Sequence, residues 1–349
     1  ILVSLPAGKL SDIIGRKKIL LLSGIIFASA PFLYLFITAP WQLFIVRFYH
    51  GFATAMFVPV ANAAIAEKFP SEKGKKMSTF SSITVVGRII APVLGGYILS
   101  RGYVLPVTDW NYHGLYIAVA VAGICALSTG LTLFWRSKSS ERVLQKSSQG
   151  KDHPPSVFGS WIKVASVGFV EAAQYYTFGA YEYYIVGYAT SLGLDALSIG
   201  IVTGAQLAAI AIVIPFAGIF SDKVGRKTPI VIGLVVGSVP LIITPFTKSF
   251  FELILVSVVY GIGFSLVTSS TGPLVSDLVR KESYGSAMGF LGTIMDIGQT
   301  LGPIITGFIL AATSAYIGYT GGFASLGIIL LASSLVFSLQ PKVKNERHS

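Results

Sequence analysis

Long apolar runs constrain this chain more than any other feature of its sequence. Stretches of about 20 mostly apolar residues recur from end to end, and each can cross a hydrocarbon layer of about 30 Å as an α-helix. A soluble domain carries about 25% charged residues, whereas this chain has 12% charged and 53% hydrophobic residues. We predict an all-α polytopic membrane protein, with spans at 19–37, 41–66, 77–99, 113–135, 161–188, 196–217, 229–246, 250–276, 286–311 and 319–339.

The basic residues lie in alternate loops of this predicted topology. The net charge is +11, which on a soluble protein would favour nucleic acid as a partner, but the distribution excludes that class. If the first loop is cytoplasmic, one side of the membrane carries all but four of the 26 Lys and Arg residues, the four being Arg47, Arg88, Arg101 and Lys248. This asymmetry obeys the positive-inside rule and predicts the orientation.

An internal repeat divides the chain. The opening GKLSDIIGRKK returns as GIFSDKVGRK at 218–227, an offset of 210 residues, and GRIIAPVLGG at 87–96 has a weaker copy at 298–307. We therefore predict a tandem duplication, with two halves in one orientation. The predicted units are a first bundle at 1–136, a polar cytoplasmic linker at 137–160, a second bundle at 161–340 and a cytoplasmic tail at 341–349.

The repeat also bears on the first residue, which is Ile. Residue 1 corresponds to about residue 211, yet the second half begins near residue 161. We expect that the first half lacks a counterpart of about 50 residues, one whole span and most of the next. Residues 1–8 would then be the end of a second helix, and the intact protein would have six plus six helices.

The repeated loop motif combines turn-forming and charged residues. Gly8 and Gly15 allow the backbone to turn, and Asp12 can cap a neighbouring helix. Arg16 can pair with a carboxylate on an adjacent loop, for which Asp12 and Glu67 are candidates. Such a cluster can act as a latch that is intact in one conformation and broken in another. Alternatively, the charges only set the topology.

This motif resembles the signature of the major facilitator superfamily of secondary transporters, found there in the loop after the second helix. The weaker copy after that family's eighth helix matches the second motif, and the departures are Ile13 and Phe220. The resemblance implies two six-helix bundles, a solute site between them and alternating access. It assigns conformational roles to the framework of both copies, Gly8, Asp12, Gly15, Arg16, Gly218, Asp222, Gly225 and Arg226.

Two further elements resemble proton-coupled members of that family. GRIIAPVLGG resembles the glycine-rich element in the fifth helix of drug–proton antiporters, which here includes Gly87, Pro92, Gly95 and Gly96. The element predicts a bending, gating helix, with simple close packing as the alternative. Arg47 and Gly51 resemble an R-x-x-x-G element, with snorkelling of the arginine to the interface as the alternative.

Ionisable residues inside the membrane are costly, so each one predicts a function. Arg88 lies 11 residues after Met77, about 16 Å along the helix, near the midplane. Asp296 is at similar depth, and Gln299 is the repeat counterpart of Arg88. We predict that these groups face one central cavity from opposite halves.

The segment 161–188 carries a polar and aromatic stripe. Its members recur at helical spacing on one face, and they are Glu171, Gln174, Tyr175, Phe178 and Glu182. Aromatic faces attract cations, and a buried carboxylate can exchange protons. The stripe predicts a lining for an organic, amphipathic or cationic solute, with ordinary aromatic packing or a Glu171–Arg88 salt bridge as alternatives.

These observations predict a secondary transporter in the cell membrane. We expect it to move a small organic solute by alternating access, to use the proton as coupling ion, to resemble multidrug efflux proteins and to act as a monomer. Alternatives are a sugar or organic-anion symporter or uniporter, and, more distantly, a non-transporting receptor or scaffold. No enzyme activity, cofactor or metal is expected, because the single Cys and the four His residues form no ligand pattern.

Overall fold

Ten long α-helices account for most of the chain that the structure, a computed structural model, describes: residues 10–11, 13–69, 73–100, 110–136, 158–279, 284–313 and 318–339. They are α1 (Arg16–Tyr34), α2 (Pro40–Lys68), α3 (Lys73–Ser100), α4 (Trp110–Arg136), α5 (Phe158–Ser191), α6 (Ala196–Val224), α7 (Lys227–Ile243), α8 (Phe250–Leu278), α9 (Tyr284–Thr313) and α10 (Tyr319–Ser338). A short 3₁₀ turn, Thr244–Phe246, follows α7. Each predicted span corresponds to one helix, and the predicted all-α class is confirmed. The predicted span end at 1–8 lies outside the described residues.

Nine of these ten helices are long and apolar enough to cross a membrane. The exception is α5, which at 34 residues is the longest described helix. It carries two glutamates and a glutamine within its middle turns, at Glu171, Gln174 and Glu182. These polar residues occupy positions where a membrane helix is normally apolar, and this marks α5 as a candidate location for a functional site.

The repeated motif has the same backbone geometry in both copies. Gly15 precedes α1 with φ of 100°, and Gly225 separates α6 from α7 with φ of 86°. An L-residue with a side chain rarely adopts such angles, so glycine is the residue suited to both turns. The turn predicted at Gly15 is confirmed, and Gly225 adopts the same geometry in the second copy.

The start of α6 is fixed by a side-chain cap. The Ser198 amide donates a 3.1 Å hydrogen bond to Asp195 Oδ1, which satisfies one of the free N–H groups at the helix start. Hydrogen bonds from Ser198 favour the charged carboxylate and lower the pKa of Asp195 below its ordinary value.

Internal contacts divide the chain into two compact units, one formed by residues 1–86 and 98–153, the other by residues 87–97 and 154–349. In the first unit α1 packs against α2 and α4. Its buried core includes Ile19, Ile26, Ala53, Met56 and Val60. At the α1–α4 contact, a Cβ on Gly123 would lie 3.1 Å from the backbone of Ala28, so glycine permits the close approach.

In the second unit, helices α5 to α10 enclose a larger core. Helix α5 packs on α9, α10 and α8, while α8 also packs on α6 and α7. The largest fully buried side chains include Tyr181, Tyr260 and Phe323. Two of these aromatic residues carry hydroxyl groups, so this interior contains polar groups that need partners.

Candidate functional site

The first copy of the loop motif forms the ion pair that its sequence predicts. Arg16 Nη2 lies 2.8 Å from Glu67 Oε1, and Arg16 Nε donates to the same oxygen over 3.1 Å. Arg16 also donates to the Ser11 hydroxyl. The candidate pairing with Glu67 is therefore confirmed. Gly8 and Asp12 lie outside the described residues, so their predicted roles stay predictions.

The second copy repeats these contacts at equivalent positions. Arg226 Nε lies 3.7 Å from Asp277 Oδ2, and Arg226 Nη1 donates to the Ser221 hydroxyl over 3.3 Å. Asp277 is the repeat counterpart of Glu67, and Ser221 is that of Ser11. In this copy Asp222 also pairs with Arg226, and Gly218 has open space around it.

The glycine-rich element of α3 packs tightly on α6 within the second unit. A Cβ on Gly96 would overlap the Ala196 carbonyl oxygen, and a Cβ on Gly200 would overlap the Pro92 carbonyl oxygen. A Cβ on Gly87 would meet nothing within 4 Å, and Gly95 is half-buried. Small residues at Gly96 and Gly200 thus permit backbone contact between the helices; bending of α3 stays a prediction.

Arg47 lies on α2 in the first unit with an exposed side chain. Its guanidinium carbon is 5.7 Å from the centroid of the Tyr34 ring, which stacks on Tyr116 at 4.9 Å. This geometry is a cation–π contact.

A row of buried polar side chains joins α5 to α8. Thr271 donates a hydrogen bond to Glu171 Oε1, the Thr177 and Tyr260 hydroxyls are 3.0 Å apart, and those of Tyr181 and Ser257 are 2.9 Å apart. Because residue numbers rise along α5 as they fall along α8, the two helices are antiparallel. We call this row the polar seam; it consists of Glu171, Gln174, Thr177, Tyr181, Ser257, Tyr260, Thr268 and Thr271.

One end of the polar seam has buried polar atoms without partners. Glu171 is 1% exposed and Gln174 is fully buried. Within the described part of the chain, Glu171 Oε2, both amide atoms of Gln174 and Thr268 Oγ1 form no hydrogen bond. The helix register places Gln174 opposite Thr268, one turn from the contact between Glu171 and Thr271. Buried polar groups without partners are uncommon and costly.

An aromatic cluster lies beside this end of the seam. The Phe264 ring of α8 is 5.4 Å from the Tyr175 ring and 4.7 Å from the Phe178 ring. Phe178 is buried, whereas Tyr175 is half-buried. The predicted stripe on α5 therefore has two environments: Glu171, Gln174 and Phe178 are buried, while Tyr175 and Glu182 retain partial exposure.

The structure brings several of the predicted ionisable residues near Tyr175. Arg88, Glu171 and Asp296 all act electrostatically on Tyr175, and Arg88 also acts on Glu182. The side chains of Arg88 and Asp296 are exposed. Gln299 packs on α5, where a Cβ on Gly179 would lie 3.1 Å from Gln299 Cγ.

Sequence reasoning missed the α8 side of the seam. Its members Ser257, Tyr260, Thr268 and Thr271 recur at intervals of about one or two helical turns along α8. That spacing could have predicted a polar face on α8, because hydroxyls at helical spacing lie on one side of a helix. Their pairing with α5 depends on which helices are neighbours.

In the described part of the chain, ten long helices, nine of them apolar enough to span a bilayer, combine with a doubled loop motif and a polar seam within one unit. Together they define a helical membrane transport protein with an internal repeat. The family model of the Major Facilitator Superfamily matches residues 1–171 and again residues 164–349. The chain belongs to this superfamily of transporters, and the predicted family is confirmed. It is thus a multi-pass membrane protein.

Several similar proteins are named as drug-resistance proteins, one of them as an efflux pump. The chain is 23% identical to the multi-drug resistance efflux pump PmrA homolog of Lactococcus lactis, over 93% of this chain and 78% of that protein. It is 26% identical to multidrug resistance protein MdtG of Proteus mirabilis, over 87% of this chain and 74% of that protein. Quinolone resistance protein NorA of Staphylococcus aureus is 30% identical over 44% of this chain and 39% of its own length.

A solved structure shares the fold. It is the crystal structure of a bacterial homolog of the human lysosomal transporter Spinster in an inward-facing and occupied conformation, with a TM-score of 0.76 and 17% identity. The match covers 97% of this chain and 83% of that one. It supports the fold class of two repeated bundles.

Proposed function

We propose that this transporter exports small organic solutes by alternating access and couples export to proton movement. The names of the relatives support a broad solute range and outward direction, because all three are efflux or resistance proteins. The orientation follows the positive-inside rule, with the repeated loops, the linker at 137–160 and the tail at 341–349 in the cytoplasm.

The observation that carries the coupling is the environment of Glu171. Its carboxylate is buried, it accepts a hydrogen bond from Thr271, and no described Lys or Arg forms an ion pair with it. A buried charge without a countercharge is costly, so such a carboxylate readily binds a proton. Asp296, which is exposed on α9, would exchange that proton with water.

The solute is bound, in this proposal, beside the aromatic cluster. The half-buried Tyr175 offers a ring face, and Glu182 and Asp296 offer negative charge, a combination suited to an amphipathic or cationic molecule. Arg88 would hold the countercharge when the acids are ionised. A proton and a cationic solute would then compete for the same negative charge. This competition would allow the transporter to exchange one for the other across the membrane.

The test uses proteoliposomes loaded with a fluorescent amphipathic cation, with and without a pH gradient. We expect the wild type to follow the gradient and the double variant Glu171→Gln, Asp296→Asn to lose that dependence. The matched control is Glu252→Gln, which removes an exposed carboxylate at the start of α8 and should behave as the wild type. Transport by the double variant that still follows the gradient would rule out these two residues as proton carriers.

An anion carrier is the second candidate, because Arg88 is an exposed cation beside Tyr175. Under that function Arg88→Gln would abolish uptake of an organic anion, and neither the wild type nor the variant would export the cation. Under the efflux proposal, Arg88→Gln retains cation transport with altered gradient dependence. Counterflow with one anionic and one cationic solute separates the two.

A further inference from the structure

The unpartnered end of the polar seam has the composition of a small cation site. It offers one carboxylate, one amide oxygen and two hydroxyls. We call this group the Glu171 site; its members are Glu171 and Gln174 on α5 and Thr268 and Thr271 on α8. Oxygen is the ligand atom that hard cations take in proteins.

The geometry of the Glu171 site favours a ligand between its side chains. Thr271 fixes one oxygen of Glu171, which leaves Oε2 unpartnered. Gln174 lies one turn along α5 and Thr268 one turn back along α8, so both converge on the same level of the seam. The Gln174 and Thr268 side chains form no hydrogen bond to each other. Their oxygens therefore remain available to a ligand that both could contact.

Charge balance selects a monovalent ion. The site contains a single carboxylate, and the charged residues of α8, Glu252 and Asp277, lie at the two ends of that helix. Calcium sites generally use several carboxylates, whereas one carboxylate balances one positive charge. The direct Glu171–Thr271 contact keeps the helices close together, which favours a small ion.

We propose that the Glu171 site binds a sodium ion. Binding would satisfy the three unpartnered oxygens and neutralise the buried carboxylate in one step. The ion would also tie α5 to α8, because its ligands come from both helices. Buried charges in proteins are generally paired or coordinate a cation, and the Glu171 carboxylate is buried and has no charged partner among the described residues.

Sodium and the proton of the proposed function would compete, since both neutralise Glu171. Sodium binding should therefore weaken as the pH falls. Other charged or titratable groups lie around this part of α5; in the described residues they include Tyr175 and Glu182 on α5, Arg88 on α3 and Asp296 on α9. Variants within the site are needed to separate its contribution from theirs.

The experiment measures binding of radioactive sodium to the purified full chain at constant ionic strength, with choline as the replacement cation. We expect saturable binding in the wild type, none in Glu171→Gln, and affinity reduced by about tenfold in Thr268→Val, which removes one ligand oxygen and retains the shape. The matched control is Thr293→Val on α9, whose hydroxyl bonds its own helix; it should bind as the wild type does.

A second readout guards against misfolded variants. Sodium should raise the thermal unfolding temperature of the wild type and of Thr293→Val more than choline does, and that difference should shrink in Thr268→Val. Absence of saturable sodium binding in the wild type, or equal affinities in Thr268→Val and the control, would overturn the proposal. Proton-driven transport that persists without sodium in the same preparation would then leave the proposed function standing.

Discussion

At the residue scale, Glu171 differs from Arg16 in what surrounds its charge. Arg16 has a carboxylate partner whose side chain is exposed, so its ion pair contributes little to stability, about 0–1 kcal/mol. Glu171 has a hydroxyl partner and almost no exposure. A protein retains such a group against its cost when it serves a purpose other than stability.

The first prediction concerns a buried hydroxyl of the polar seam. Tyr181→Phe removes the donor or acceptor that Ser257 contacts at 2.9 Å and leaves the ring in place. We expect the free energy of unfolding in detergent to fall by about 1–2 kcal/mol, because the Ser257 hydroxyl is left buried without a partner.

Tyr183→Phe is the matched control for this prediction. It makes the same chemical change two positions along α5, on a side chain that is 66% exposed, so unfolding should be unchanged. If the two substitutions lowered the free energy of unfolding equally, that result would contradict a stabilising role for the Tyr181–Ser257 hydrogen bond.

At the element scale, helices α5 and α9 are held close by glycine. A Cβ on Gly302 would overlap the Tyr176 carbonyl oxygen, and one on Gly298 would lie 2.5 Å from the Ala172 carbonyl oxygen. Without a hydrophobic effect inside the bilayer, close van der Waals packing contributes strongly to holding two such helices together, and the Tyr184 hydroxyl adds a 2.8 Å hydrogen bond to the Pro303 carbonyl oxygen.

The second prediction follows from that contact. Gly302→Ala should lower the free energy of unfolding by about 1–3 kcal/mol, because a methyl group forces the α5 backbone away. Thermal unfolding of the purified chain measures the change.

Gly292→Ala is its control on the same helix. A Cβ there meets nothing within 4 Å, so alanine should be neutral or should stabilise the helix by up to about 1 kcal/mol. If Gly302→Ala changed the free energy of unfolding no more than Gly292→Ala does, that result would contradict the close contact between α5 and α9.

At the scale of the whole molecule, the duplication is visible in matched contacts. Arg16 with Glu67 and Arg226 with Asp277 are the same pairing in two copies. Ion pairs that are accessible to solvent add little stability, even when there are two of them. The presence of the same pair in both copies therefore favours a role in conformational change.

The third prediction separates these roles. Glu67→Gln and Asp277→Asn should each change the rate of solute transport severalfold while altering the free energy of unfolding by less than about 1 kcal/mol. Lys248→Gln, which removes an exposed charge outside both motifs, should change neither. If transport were unaltered in both carboxylate variants, the ion pairs would have no role in conformational change, and the motif would serve only to set the membrane topology.

The sequence by itself determined the fold class, the helices and the family. The length of an apolar run is a local property of the sequence, and a run of about 20 residues is enough to form a membrane-spanning helix. The repeat is also visible in the sequence, because the same residues recur at a constant offset. It also identified Glu171 and Gln174 as unusual, since polar residues inside a span are costly wherever they point.

Only the tertiary structure decided what those residues contact. Helical periodicity assigns a residue to a face but does not say which helix that face meets, and α5 and α8 are separated by many residues in the chain. The pairing of Glu171 with Thr271, and the unpartnered oxygens of Gln174 and Thr268 beside them, depend on helix packing. That packing includes close contacts such as those at Gly298 and Gly302; their spacing is visible in the sequence, but the helix that they meet is not.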